Sequence, residues 1–343
     1  MLVVTAPDTA RHDPSHELDK GQVVSPVWER AARYDAIAAA VADAELPMVA
    51  PRHHHGQGWE RVHEPALVAW LHSGWRAWRD AGGPEVLIPD TFAHRAWPDT
   101  ARRPTSPIGV AGWWVTDTAT PIVEGSWTAA VAAVDAALTA VDLVATGEAD
   151  RAHALTRPPG HHAGPGHIGG FCLVNHAAIA ASALREATGE RVAVLDIDHH
   201  HGNGTQEVFL DDASVLYVSL HADPATSYPW CSGFTDEVGT GAGRGATLNL
   251  PLPEGTDDDA YLTTLERAVE AVAAHEPGTV VLSLGTDTAD SDPVGGLGLS
   301  TDAYPRIGRT IADLGLPVVS VQEGGYDLDR VGRDTVGVLR ALG

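Results

Sequence analysis

The sequence predicts an α/β fold, a single domain whose central, mostly parallel β-sheet is flanked by helices. Three observations predict it. From about residue 150 onward, short β-branched runs alternate with apolar residues at helical spacing, the pattern of parallel strands and their covering helices. The run 191–197 passes straight from apolar residues into acids, imidazoles and glycines, and open α/β sheets place ligand sites at such strand ends. With 343 residues, 44% of them hydrophobic, the chain can bury a sizeable core and is not a disordered polymer.

In chain order, helical spacing marks 26–46 and 65–80, where Trp70, Trp75 and Trp78 read as packing residues rather than a ligand cage. Residues 82–121 break the pattern. Pro84, Pro89, Pro98, Pro104, Pro107 and Pro121 separate the aromatics Phe92, Trp97, Trp113 and Trp114. So long a stretch in a compact domain reads as an ordered loop that meets a ligand or another subunit. An alanine-rich helix follows Trp127. Strands are expected at 192–197, 215–220, 280–284 and 318–321, with long loops beyond their C-terminal ends. Helices are expected at 177–187, at 257–274 capped by Thr256, and at 301–314 opened by Ser300. His53, His54 and His55 stand among Pro, Arg and Gly, are expected to lack acidic partners, and read as an ordinary loop.

Forty-six acidic against 22 basic residues give a net charge of −24, a field that repels nucleic acid and weakly favours a cationic substrate. Cys172 and Cys231 form neither a disulfide framework nor a thiolate metal site. The N-terminus lacks the basic start and long apolar run of a signal peptide, and no membrane span is read, so a cytoplasmic location is expected.

The chemistry concentrates in three clusters. In DIDHHHGNGTQ at 196–206, alternation puts Asp196, Asp198 and His200 on one face of an extended chain. Carboxylate beside imidazole suits a borderline divalent ion such as zinc, which needs a further protein ligand. Asp287, at the end of LSLGTDT (282–288), is that candidate, although such an acid alone more often caps a helix. RPPGHHA (157–163) sets His161 and His162 on a rigid turn as acid–base candidates. QEGGY (322–326) offers the Tyr326 phenol to an oxyanion.

Together with GGFCLVNHAA (169–178) and VSLH (218–221), these ordered segments make the chain similar to the arginase/deacetylase superfamily, specifically zinc-dependent histone deacetylases and acetylpolyamine amidohydrolases. The resemblance implies Asp198, His200 and Asp287 as ligands of one catalytic Zn²⁺, or Fe²⁺ in some members. It implies His161 oriented by Asp196, His162 facing Asn203, and Tyr326 as oxyanion donor. Phe171, Tyr228 and the Gly170 carbonyl would shape the substrate channel, and a structural K⁺ would sit by Asp196, Asp198, His200, Ser219 and Leu220. Asn203 replaces the aspartate of one branch, leaving His162 less easily kept as imidazolium.

Loop 82–121, HADP (221–224) and NLPLP (249–253) resemble the acetylpolyamine amidohydrolase branch, implying a homodimer with the loop at its interface and a narrow channel for a small acetylated amine. Against this, the loop carries Arg95, Arg102 and Arg103, opposed only by Glu85, Asp90, Asp99 and Asp117, and so could favour an anionic group. An acetyl-lysine protein or peptide deacetylase is the alternative. A manganese ureohydrolase would need Asp-x-His-x-Asp rather than Asp196-x-Asp198-x-His200, and a catalytically silent binding protein would be expected to have lost a ligand or the tyrosine.

Overall fold

The computed structural model describes residues 1–54, 58–93 and 102–343. His55, Arg95, Trp97, Pro98 and Asp99 lie outside the described residues. Among those described, the strands are β1 (Leu2–Thr5), β2 (Glu17–Asp19), β3 (Gln22–Val24), β4 (Met48–Val49), β5 (Arg151–Leu155), β6 (Val192–Asp196), β7 (Val215–Ala222), β8 (Thr247–Leu252), β9 (Thr279–Leu284) and β10 (Val318–Gln322). The helices are α1 (Ala32–Asp43), α2 (Pro65–Asp80), α3 (Pro107–Trp114), α4 (Ser126–Ala145), α5 (His176–Thr188), α6 (Asn203–Val208), α7 (Asp258–His275), α8 (Ala303–Ala312) and α9 (Val331–Leu342).

Eight strands form one sheet in the order β4-β1-β5-β10-β9-β6-β7-β8, and every pairing is parallel. Such a sheet must be covered on both faces, because its apolar strands have no side to show to water. Helices α2, α4 and α5 build the core on one face, while α1, α7, α8 and α9 build the other. The order reverses around β9 and β10, so the C-terminal ends of β6, β9 and β10 are neighbours. β2 and β3 form a separate antiparallel hairpin. α4 is long and apolar enough to cross a membrane, but it packs on β5, β1 and α5 with 67% of its apolar window buried, as a core helix.

Several boundaries differ from the sequence reading for identifiable reasons. Asp257, not Thr256, caps α7, since its side chain accepts from the Ala260 amide. Ser300 does not open α8. Its hydroxyl donates to Asp258 and accepts from the Asp302 amide in a turn that delays the helix to Ala303. The first predicted helix shrinks to α1, because residues before Ala31 make turns instead. Residues 82–121 are not without regular structure: α3 begins at Pro107, and proline is tolerated at the first helical position because that N–H has no intrahelical partner anyway. Trp70 and Trp78 are buried in the core and Trp75 packs against it, as expected of packing residues. His53 and His54 do have acidic partners. Asp135 on α4 meets the His53 ring at 3.2 Å and the His54 amide at 2.9 Å.

Candidate active site

β6 stops at Asp196, and the chain then bends, so Asp196, Asp198 and His200 do not share one strand face. Asp196 turns toward the 157–163 loop, where its Oδ2 lies 3.0 Å from His161 Nδ1 and accepts from the Tyr217 hydroxyl at 3.1 Å. Asp198 and His200 instead meet Asp287 across the β6–β9 seam. One ligand atom from each of the three lies within 4.8 Å of the others, and all three residues are buried. His200 Nδ1 sits 3.2 Å from Asp198 Oδ1 and 3.1 Å from Asp287 Oδ2. Asp287 is no helix cap; its other oxygen accepts from the His199 amide at 2.9 Å.

Bare glycine backbone makes this convergence possible. A Cβ on Gly324 would lie 2.3 Å from Asp287 Oδ2 and 2.6 Å from Asp198 Oδ2. Burial opposes charge on His200, but its hydrogen bonds to Asp198 and Asp287 raise its pKa to about 9. Burial and the charge of Asp198 push Asp287 up to about 7. Two buried carboxylates held together by one shared imidazolium are what a divalent cation would replace, and two oxygens with one nitrogen are a donor set zinc accepts. The residues fit such an ion.

The His161 and His162 rings meet at a tilt of 45° with centroids 4.1 Å apart, yet their environments drive their pKa values in opposite directions. Burial disfavours charge on His161, but Asp196 and Asp198 outweigh it and raise its pKa well above the ordinary value. For His162, burial followed by the charges of His161 and His200 depresses the pKa well below it. His162 Nδ1 donates to Asn203 Oδ1 at 2.8 Å, leaving Nε2 with its lone pair. His162 lines the main cavity, whereas His161 is behind it.

That cavity has a volume of about 670 Å³. Its inner wall includes His162, His200, Gly170, Phe171, Tyr228 and Tyr326, so the residues expected to form the channel are brought together. The Phe171 ring meets Tyr326 edge-on at 5.3 Å, and Tyr228 meets His162 at 4.9 Å. The Gly170 carbonyl accepts from the Cys172 thiol at 3.2 Å. Burial raises the Tyr326 phenol well above its ordinary range and keeps it protonated.

Other parts of the site were not foreseen. Arg33 packs its guanidinium 4.6 Å from the Tyr326 ring centroid and donates to the Glu323 and Gly325 carbonyls at 2.6 Å each. Glu29 ties it to Arg157 in a fully buried chain of charges. Glu323 accepts from the Gly160 and His161 amides at 2.6 and 3.2 Å, and burial raises its pKa to about 7. Asp292 accepts from the Tyr326 amide at 2.6 Å. Asp117, at the end of the 82–121 loop, accepts from the Gly170 amide and the Tyr228 hydroxyl, tying the loop to the channel wall. The one available signal was Glu29 and Arg33 at i,i+4 in an apolar stretch; the rest are loop residues meeting over long separations.

The entrance corrects the sequence reading most. Acids do stand at the rim, but they come from outside the 82–121 loop: Glu17 and Asp19 from the β2–β3 hairpin, and Glu254 after β8. The buried Glu17 carboxyl has no side-chain partner among the described residues, and burial raises its pKa to about 8 against the opposing pull of the Trp28 backbone. Arg103 lies over the Trp114 ring at 5.4 Å, and neither it nor Arg102 lines the cavity.

A parallel sheet with acids and imidazoles at its C-terminal seam, a candidate metal trio and a phenol facing one cavity defines a hydrolytic α/β enzyme. Residues 27–342 match the histone deacetylase domain, and the chain belongs to that family. It is 38% identical to acetylpolyamine amidohydrolase 1 of Pseudomonas aeruginosa over 99% of this chain and 98% of that protein. It is 36% identical to the acetylpolyamine amidohydrolase of Mycoplana ramosa over 100% and 99% of the two chains. The crystal structure of acetylpolyamine aminohydrolase from Burkholderia pseudomallei superposes with a TM-score of 0.93 at 36% identity, covering 100% of this chain and 98% of that one.

Proposed function

We propose that the protein is a zinc-dependent deacetylase that hydrolyses the acetyl amide of a small acetylated amine, an acetylpolyamine first among them, releasing acetate and the free amine. The observation that carries this reading is the convergence of Asp198, His200 and Asp287 with His162 and Tyr326 at the inner end of one cavity whose rim is acidic. Full-length likeness to acetylpolyamine amidohydrolases supports the substrate class. Glu17, buried at the rim and holding its proton in the free protein, has no side-chain counter-charge among the described residues; an ammonium group at the substrate's far end would supply one and favour its charged form.

Asp198, His200 and Asp287 would hold the ion. When bound there it supplies Lewis-acid polarisation of the acetyl carbonyl and acidifies a water. His162 Nε2, uncharged because of burial and its cationic neighbours, would be the base that takes a proton from the attacking water. The Tyr326 hydroxyl donates to the developing oxyanion. His161, held charged by Asp196 and Asp198, stabilises the negative charge behind the pair, and a proton returned to the amine completes C–N cleavage. Phe171, Tyr228 and Gly170 line the path of the acetylated amine's alkyl chain. A structural K⁺ beside Asp196, Asp198, His200, Ser219 and Leu220 belongs to the same reading, as does a homodimer that uses the 82–121 loop.

The test is turnover of N-acetylputrescine, N-acetylcadaverine, acetylspermidine and an acetyl-lysine peptide by zinc-loaded protein, with Tyr326→Phe as control. Hydrolysis of the acetylpolyamines that is lost in the control supports the reading. Preference for the peptide moves the protein to protein deacetylation, and no turnover of any of them overturns it.

A further inference from the structure

The chain contains one lysine among its 22 basic residues, and it stands on the rim of this cavity. Lys20 and Gly21 are the two-residue turn of the β2–β3 hairpin, with φ of +51° and +75°. Positive φ at both central residues is the type I′ pattern, for which Asn, Asp or Gly is the usual first residue. A lysine there carries backbone strain, and strain retained beside a binding cavity points to use of the side chain. The hairpin is held in place: the Leu18 amide donates to the Thr118 carbonyl and the Thr118 hydroxyl to the Leu18 carbonyl.

The Lys20 ammonium is free to engage a ligand. Its ion pair is with Asp19 at 3.9 Å, and the side chain is 85% exposed, so that pair contributes little. The rim therefore offers an exposed cation on the same hairpin as Glu17, a buried acid with no side-chain partner among the described residues. A polyamine tail needs only the acids. A group bearing both an ammonium and a carboxylate uses both signs.

We propose, resting on the deacetylase reading above, that the enzyme also takes ω-N-acetylated α-amino acids as substrates, with Lys20 as the specificity residue for the α-carboxylate and Glu17 facing the α-ammonium. The reaction is unchanged: water supplies the oxygen that forms the acetate C–O bond, the amide C–N bond breaks, and the side-chain amine leaves with the proton.

The test uses a matched pair. Nε-acetyl-L-lysine and N-acetylcadaverine differ only in the α-carboxylate, and their kcat/KM ratio within one preparation does not depend on how much of the protein is active. Wild-type, zinc-loaded enzyme is expected to hydrolyse both. Lys20→Met should lower the ratio of acetyl-lysine to acetylcadaverine about 3- to 10-fold, with Lys20→Arg restoring most of it. Hydrolysis of acetylcadaverine without acetyl-lysine, or a ratio unmoved by Lys20→Met, overturns the inference and leaves the deacetylase reading standing. Hydrolysis of neither overturns that reading, and the inference with it.

Discussion

The inner end and the rim of the one cavity are built on opposite principles. At the inner end, Asp196, Asp198, Asp287 and Glu323 are all fully buried, and each carboxylate is engaged by backbone amides, imidazoles or hydroxyls. At the rim, Glu17 has no side-chain partner among the described residues, Lys20 has a weak one, and Trp230 stands 57% exposed with φ at +67°, a region bulky residues rarely occupy. Reacting groups must be preorganised before the substrate arrives, whereas groups that recognise a substrate's far end gain by being left incomplete until it binds. The expected signature is that inner substitutions change kcat for every substrate alike, while rim substitutions change the ratio between substrates.

The largest effect should come from the buried charge chain. Glu29→Ala leaves Arg33 and Arg157 without their carboxylate, and the loss expected by chemical denaturation is about 3–5 kcal/mol. A loss below about 1 kcal/mol would show that the chain of charges is not what holds Arg33 under Tyr326. Next comes Tyr326→Phe, which should lower kcat about 10²- to 10³-fold with KM little changed, equally for long and short acetylated amines. An effect confined to one substrate would move Tyr326 from the chemistry to recognition. Asn203→Asp sharpens the same end. A carboxylate against His162 Nδ1 raises the pKa that burial now depresses, so the acidic limb of the kcat profile should move to higher pH.

Smaller effects are expected at the rim. The folded-state pKa of Glu17 is raised to about 8 from an ordinary carboxylate value of 4.5, so its native form holds a proton that the unfolded chain gives up. Its contribution to stability is full below pH 4.5 and is lost as pH rises through 8. Glu17→Gln should remove that decline, leaving the variant more stable than wild type at pH 8.5 by roughly 1–3 kcal/mol while raising KM for cationic substrates. Equal stability at pH 8.5 would mean Glu17 is better solvated than its burial implies. Trp230→Gly, the mildest change, should relieve about 1 kcal/mol of backbone strain, read as a small rise in Tm.

The same division explains what was legible in the sequence. Asp198, His200, Asp287, His161, His162 and Tyr326 lie on short, ordered motifs beyond strand ends that the parallel topology brings together, and the family resemblance supplied their roles. The central strands were readable to within two residues because each is a single buried apolar run. The shared face expected for Asp196, Asp198 and His200 failed because alternation was extended past the point where β6 ends. Glu17, Lys20, Glu254 and Trp230 come from a hairpin and separate loops, and no periodicity relates one loop to another. The 82–121 segment is rich in aromatics and arginines, yet its described residues at the site are Asp117, Ala119 and Thr120.

The bond from Arg33 to the Gly325 carbonyl spans 292 residues of chain. As the protein is synthesised, the segment that braces Tyr326 is made near the beginning and the tyrosine near the end. Until translation has passed residue 326, the sheet lacks the strand end that carries the phenol, and Arg33 and Glu29 have nothing to brace. A nascent chain can therefore fold much of its core without ever exposing a working hydrolase, and activity arrives as one late event rather than by degrees.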